Sequence, residues 1–118
     1  MLYNKELLSH YKHPQNYGTL TAPGIKTLRE VNPLCGDELT VYFLTDNKKI
    51  LDVKFEGRGC VVSQAAASIL SEKIKKMPLA TLTKMSSKDA LKKIGLEDIT
   101  SGRLKCALLF YSTLTKTF

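Results

Sequence analysis

At Gly59 the chain changes period, and that change constrains its fold more than any other feature. Upstream, Leu39-Thr40-Val41-Tyr42-Phe43-Leu44 is rich in β-branched and aromatic residues. Leu51, Val53 and Phe55 then alternate with Ile50, Asp52, Lys54 and Glu56, which predicts a strand with one apolar and one polar face. Downstream, Val62, Ala65, Ala66, Ile69, Leu70 and Ile74 recur at helical intervals, predicting a helix over residues 60–76. Strands first and helices afterwards give an α+β fold: one antiparallel sheet with helices packed on a single face.

The remaining segments fill in that plan. A weaker alternation over residues 25–31 supplies the first strand of a three-stranded meander, and Thr45-Asp46-Asn47-Lys48-Lys49 is its hairpin turn. Leu2, Tyr3, Leu7, Leu8 and Tyr11 predict a short amphipathic helix over 2–12. Pro14 ends it by disfavouring helical geometry at His13. Met77-Pro78 closes the long helix, and Pro78 can open a short one at its first position. Ser86 or Ser87 caps a helix that runs to Ile94 and stops at Gly95. The last helix spans 103–117, with Leu104, Ala107, Leu108, Tyr111 and Leu114 as its apolar stripe.

A chain of 118 residues predicts one domain, 1–118, able to bury a core without disulfides. No apolar run approaches the roughly 20 residues of a membrane span. The first residues carry no apolar signal core, and three cysteines make an odd count, so reduced thiols and a cytoplasmic location are expected. The net charge of +7 permits nucleic-acid binding. However, Lys73, Lys75, Lys76, Lys84, Lys88, Lys92 and Lys93 fall along helices, with no recognition-helix pattern and no aromatic set for base stacking. A solvated face or an acidic protein partner is the expectation, with no nucleic acid and no membrane.

Four residues stand out chemically. Cys35 and Asp37 lie two apart beyond Pro33, and in extended backbone their side chains point the same way. A carboxylate beside a thiol disfavours ionisation of both, so the pair makes sense with a cation present. Cys60 follows Gly57-Arg58-Gly59 at the strand-to-helix junction, where a helix N-terminus favours thiolate. Cys106 is placed near a helix start, where Lys105 and Arg103 favour thiolate and attract anions. Each alone could be a buried filler. All three lie at element ends beside Gly, Pro or a cation, which points to a shared three-thiolate, one-carboxylate pocket for a metal, a cluster or a sulfur atom. No Cys-x-x-Cys occurs, so zinc-ribbon, ferredoxin and thioredoxin readings are excluded. His10 and His13 have no acid at catalytic spacing, and His13 reads as a turn residue.

Four ordered segments carry a resemblance: Tyr11-Lys12-His13-Pro14-Gln15-Asn16-Tyr17-Gly18, Asn32-Pro33-Leu34-Cys35-Gly36-Asp37, Phe55-Glu56-Gly57-Arg58-Gly59-Cys60 with the residues through Ser68, and Arg103-Leu104-Lys105-Cys106-Ala107. In these the chain resembles the IscU/SufU/NifU-type iron–sulfur cluster assembly scaffolds over nearly its whole length. The resemblance implies a protein that accepts sulfur from a PLP-dependent cysteine desulfurase. It implies a transient [2Fe-2S] cluster built from iron for recipient apo iron–sulfur proteins, or Zn2+ held in the same pocket as a sulfur acceptor that activates the desulfurase. Cys35, Asp37, Cys60 and Cys106 occupy the ligand positions. Cys106 resembles the sulfur acceptor of Isc-type members, Cys35 that of Suf-type members, and Arg103 and Lys105 are expected to support the thiolates and steer the partner. Isc-type members carry histidine where this chain has Lys105; a protonated lysine cannot ligate, so Asp37 is expected as the fourth ligand. Thr100-Ser101-Gly102-Arg103-Leu104-Lys105 replaces the Leu-Pro-Pro-Val-Lys signal, so the resemblance does not extend to heat-shock chaperone docking. Arg-x-Lys-Cys is similar to the Suf branch, yet only 45 residues separate Cys60 from Cys106, short of that branch's insertion.

Overall fold

The computed structural model describes residues 5–33 and 36–118. Three strands, β1 (Lys26–Asn32), β2 (Asp37–Thr45) and β3 (Ile50–Arg58), form an antiparallel meander in the order β1-β2-β3. Their alternation gives the sheet two unlike faces. Leu39, Val41, Phe43, Val53 and Phe55 point into the core. On the other face Glu38 pairs with both Arg29 and Arg58, and the Tyr42 hydroxyl donates to Glu56 at 2.6 Å. Opposite charges on facing strands stabilise a solvated sheet surface modestly.

One alternation differs from the sequence expectation. Leu51 is 41% exposed while Ile50 is fully buried. The register shifts between Leu44 and Thr45, so the hairpin end of β3 does not follow the pleat. Ile50 is held there by backbone bonds to Met77 and from Lys76, at 3.0 and 2.8 Å. That long-range tether outweighs the local period.

The helices cover the apolar face. In order they are α1 (Lys5–Lys12), α2 (Val61–Ile74), α3 (Leu79–Leu82), α4 (Ser87–Ile94), α5 (Ser101–Ala107) and α6 (Leu109–Thr117). In α2, eleven of fourteen residues are buried. Such a helix is apolar or small nearly all round because neighbours enclose it, and it touches α1, α4, α5, α6 and β3. The segment after α1 hooks onto α2 and β3. His10 Nδ1 and the Gln15 N–H both meet Ser68 Oγ at 2.7 Å, and the Gly18 N–H donates to the Phe55 carbonyl at 2.8 Å. Pro78 serves as the N-cap of α3 and precedes its first helical residue, where the sequence had placed it inside.

The C-terminal helix is two helices. It starts at Ser101 and breaks at Leu108, whose φ of −100° and ψ of 8° leave the helical region. No glycine or proline marks this break in the sequence. The buried stripe is Cys106, Ala107, Leu109, Phe110, Thr113 and Leu114, with Leu104, Leu108 and Tyr111 only half-buried. Phe110 supplies the reason. It packs edge-on against Phe55 at 6.3 Å and tilted against Phe43 at 6.5 Å, which turns that side of the helix to the sheet.

Candidate metal and sulfur site

Asp37, Cys60 and Cys106 meet where three elements end. Asp37 opens β2 opposite Asn32 of β1 and is only 2% exposed. Burying a carboxylate is costly unless it is hydrogen-bonded or paired. Its Oδ1 accepts the Cys60 N–H at 3.0 Å, and its Oδ2 lies 3.6 Å from Cys60 Sγ. Cys60 is the N-cap of α2, with extended backbone at φ −74° and ψ 171°. That position ordinarily favours a side-chain oxygen that caps the helix. The Cys60 side chain makes no capping bond, which leaves its sulfur turned to Asp37. Ser63 supports the turn, donating to the Cys60 carbonyl at 3.2 Å.

Gly59 is required by space. A Cβ there would stand 2.7 Å from Asp37 Oδ1 and 2.5 Å from Ser63 Oγ. Gly57 is required by conformation as well: its φ is +151°, and a Cβ would meet the Glu38 carbonyl oxygen at 2.1 Å. The two glycines thus do different things, one holding the strand pairing and the other admitting the carboxylate.

Cys106 is 5% exposed and lies in the last turn of α5, which corrects its expected place near a helix start. Residue Ser101, and not Arg103, begins the helix. The Asn32 Nδ2 donates to Cys106 Sγ at 3.8 Å. Asn32 and Ser63 also contact the thiols, roles that no sequence motif assigns; the β1–β2 register sets Asn32 opposite Asp37 and so brings it to the site. Arg103 and Lys105 are exposed, and Lys105 borders a groove beside Cys106. Cys35 lies outside the described residues. Neither histidine belongs to the ligand group.

One ligand atom from each of Asp37, Cys60 and Cys106 falls within 4.8 Å of the others. Tetrahedral zinc with bonds of about 2.3 Å to sulfur and 2.0–2.2 Å to oxygen needs ligand separations of about 3.5–3.8 Å. Cys60 and Asp37 already stand at 3.6 Å. The donor set of two sulfurs and one carboxylate oxygen fits a thiophilic divalent metal with one coordination position left.

The neighbouring groove has a volume of about 440 Å³ and is lined by Val31, Pro33, Leu104, Leu108, Tyr111 and Lys105 among others. Glu30 also lines it. Burial opposes ionisation of Glu30, yet hydrogen bonds and charge from Lys116 and the Ser112 hydroxyl outweigh it and hold the carboxyl below its ordinary range.

A meander backed by helices, with a carboxylate and thiols gathered where elements end, defines an α+β domain with a candidate metal site. The family model described as the NifU-like N-terminal domain matches residues 2–117, and the chain belongs to that family. It is 33% identical to the zinc-dependent sulfurtransferase SufU of Bacillus subtilis, over 98% of this chain and 88% of the relative. It is 29% identical to the iron–sulfur cluster assembly scaffold protein IscU of Streptococcus pyogenes, over 96% and 80%. Both alignments run to about 130 positions, so each relative carries residues this 118-residue chain lacks. Among solved structures, FiSufU of the SUF system from Fervidobacterium islandicum AW-1 superposes with a TM-score of 0.82 at 28% identity, covering 98% of this chain and 95% of that one.

Proposed function

We propose that the chain, acting as one domain, is an iron–sulfur cluster assembly scaffold that accepts sulfur from a PLP-dependent cysteine desulfurase. On this reading it builds a transient [2Fe-2S] cluster and passes it to recipient apo proteins. The observation that carries the reading is the meeting of Asp37, Cys60 and Cys106 within 4.8 Å, each from a different element. Cys35, two residues before Asp37, completes the ligand set.

The chemistry starts as thiol–disulfide exchange. A thiolate of the pocket, Cys106 or Cys35, attacks the outer sulfur of the desulfurase persulfide; an S–S bond forms, the old one breaks, and the desulfurase thiolate leaves. The sulfane sulfur arrives at the oxidation level of elemental sulfur, so each becomes sulfide only with two electrons from a reductant partner. Asn32 donates to Cys106 Sγ and orients it. The apolar groove beside Cys106 gives the desulfurase's persulfide-bearing segment a place to lie, with Lys105 as a cation in its lining and Arg103 exposed on the same helix. Asp37, a harder ligand than thiolate, keeps the iron–sulfur cargo exchangeable. Reduced thiols are needed throughout, which suits the cytoplasm.

Anaerobic incubation with ferrous iron, cysteine and a desulfurase tests this. A visible iron–sulfur chromophore that forms on the protein and transfers to an apo acceptor is expected, with Asp37→Ala prolonging its lifetime. No chromophore, together with no effect of Asp37→Ala, would refute it.

A second reading is a zinc-bound sulfur acceptor that activates the desulfurase as a sulfurtransferase. The compactness of the trio, which suits a single ion, and the likeness to a zinc-dependent sulfurtransferase favour it. Asp37, Cys60, Cys106 and Cys35 would hold the metal, which when bound keeps its thiol ligands deprotonated. Stoichiometric zinc after anaerobic purification, with faster desulfurase turnover and no cluster transfer, would decide for this reading.

A further inference from the structure

The lysines singled out in the sequence gather at the end of α2 away from the thiols. Cys60 occupies its N-cap position, and Lys73, Lys75 and Lys76 lie at its C-terminus. Fourteen helical residues at 1.5 Å each separate the two by about 20 Å. The hairpin adds Lys48 and Lys49 to this end, because the Leu79 N–H donates to the Lys48 carbonyl at 2.8 Å and Lys49 bridges to Pro78. Between α2's end, α3 and α4 lies a concavity of about 420 Å³ lined by Met77, Met85, Lys84, Lys92, Lys93 and Asp89.

Three features of this concavity identify its occupant. Among the described residues, Lys84, Lys92 and Lys93 enter no direct ion pair; Lys92 and Lys93 feel the Asp89 carboxylate at longer range, and three cations against one acid leave the hollow net positive. Asp89, the acid in the wall, is fixed by the capping box of α4, where its carboxylate accepts the Ser86 N–H at 3.0 Å. Met77 and Met85 give the hollow an adaptable apolar component, and thioether side chains recur where surfaces must fit varied partners. Apolar contact ringed by like charge is the anatomy of a protein-binding site for an oppositely charged partner. No aromatic side chain lines it for base stacking, which disfavours nucleic acid.

We propose that this concavity is a docking site for an acidic segment of a protein partner, whose carboxylates meet Lys84, Lys92 and Lys93 while one apolar side chain enters beside Met77 and Met85. A partner held there leaves the thiols, about 20 Å away, open to a second protein. The proposal does not depend on which chemistry the thiol pocket performs.

A labelled short peptide of Glu and Asp around one central leucine is the probe, titrated into the whole protein by fluorescence anisotropy. The triple variant Lys84→Glu/Lys92→Glu/Lys93→Glu should weaken binding at least about tenfold. The charge-matched control Lys5→Glu/Lys12→Glu/Lys54→Glu should change it less than about threefold. Replacing the peptide's leucine with serine should weaken binding, and amide NMR shifts on titration should fall within residues 76–93 and spare Asp37 and Cys60. Equal loss in both triple variants, no effect of the leucine, or shifts centred elsewhere would overturn the proposal. Tighter binding of a single-stranded oligonucleotide of equal charge would overturn it in favour of nucleic acid.

Discussion

Substituting Gly59 with alanine tests whether the carboxylate at the site is placed by a backbone gap. Gly59 has no left-handed φ, so alanine meets no backbone strain there. The whole effect is steric. An added Cβ stands 2.7 Å from Asp37 Oδ1 and 2.8 Å from its Cγ, where contact distances start at about 3.4 Å. The carboxylate must recede by about 0.7 Å or rotate away. Either movement takes the 3.0 Å bond from the Cys60 N–H out of hydrogen-bonding range. A buried charge-assisted bond lost in this way costs about 1.5–3 kcal/mol of folding stability. Displacing a ligand atom should lower metal affinity about 10–100-fold. In an Asp37→Ala background two of the three nearest contacts are gone and the third, the Ser63 hydroxyl, can turn aside, so the cost should fall below about 0.5 kcal/mol. Urea denaturation of the metal-free proteins and zinc competition against a chromophoric chelator, run on all four members of the cycle, measure both effects. The reasoning fails if Gly59→Ala binds zinc as tightly as the parent, or if its penalty is the same in both backgrounds.

Gly57→Ala should cost more than about 3 kcal/mol in the same denaturation assay, since its Cβ would collide with backbone at 2.1 and 2.9 Å and its φ of +151° suits glycine alone; a loss under about 1 kcal/mol would contradict the strand register. Glu30→Gln should lose about 1 kcal/mol at neutral pH through its weakened contacts with Lys116 and Ser112. Because the folded-state carboxyl ionises below its ordinary value, that contribution is full above the ordinary glutamate range and disappears as pH falls through the lowered value, so the parent and variant stability curves should converge in acid. Stripping metal with a chelator should lower the melting temperature only by the mass-action term and leave the far-ultraviolet circular dichroism intact, because the buried apolar residues form one cluster drawn from the sheet and the helices; loss of helix signal would place this protein with the metal-folded domains.

Much of this arrangement was legible in the sequence where a local rule and the core agreed. The meander follows from Leu39 to Phe55, and α4 from Ser86, whose hydroxyl accepts the Asp89 N–H at 3.1 Å, and from Gly95 in left-handed conformation. The turn before Asp37 and the strand-to-helix junction at Cys60 mark both as candidate ligands, and the two lie together with Cys106. What escaped was set by contacts distant in the chain. Leu51 is outside because Ile50 is claimed by Met77 and Lys76, and the stripe of α6 rotates because Phe110 must reach Phe43 and Phe55. The break at Leu108 carries no breaker residue, so periodicity ran through it and set Cys106 at the wrong end of its helix.

The starts of α2 and α4 explain how a thiol comes to be available at all. Helix α4 has eight residues, of which only Ala90 and Ile94 are buried, so packing alone would leave it marginal. It carries a complete capping box, with Ser86 and Asp89 satisfying each other's N–H groups. Helix α2 is fourteen residues long with eleven buried, and its stability comes from enclosure by its neighbours. Such a helix tolerates a poor cap, a difference of about 1 kcal/mol between serine and an apolar residue at that position. Cys60 stands there and makes no capping bond, and Asp37 from another element accepts its N–H instead. Removing the cap from α4 would threaten the helix itself. Removing it from α2 frees a sulfur at the positive end of a helix dipole, held beside a carboxylate by the most deeply packed element of the fold. In these two helices the residue at the cap follows the burial of the helix, and the site occupies a start whose packing makes a side-chain cap dispensable.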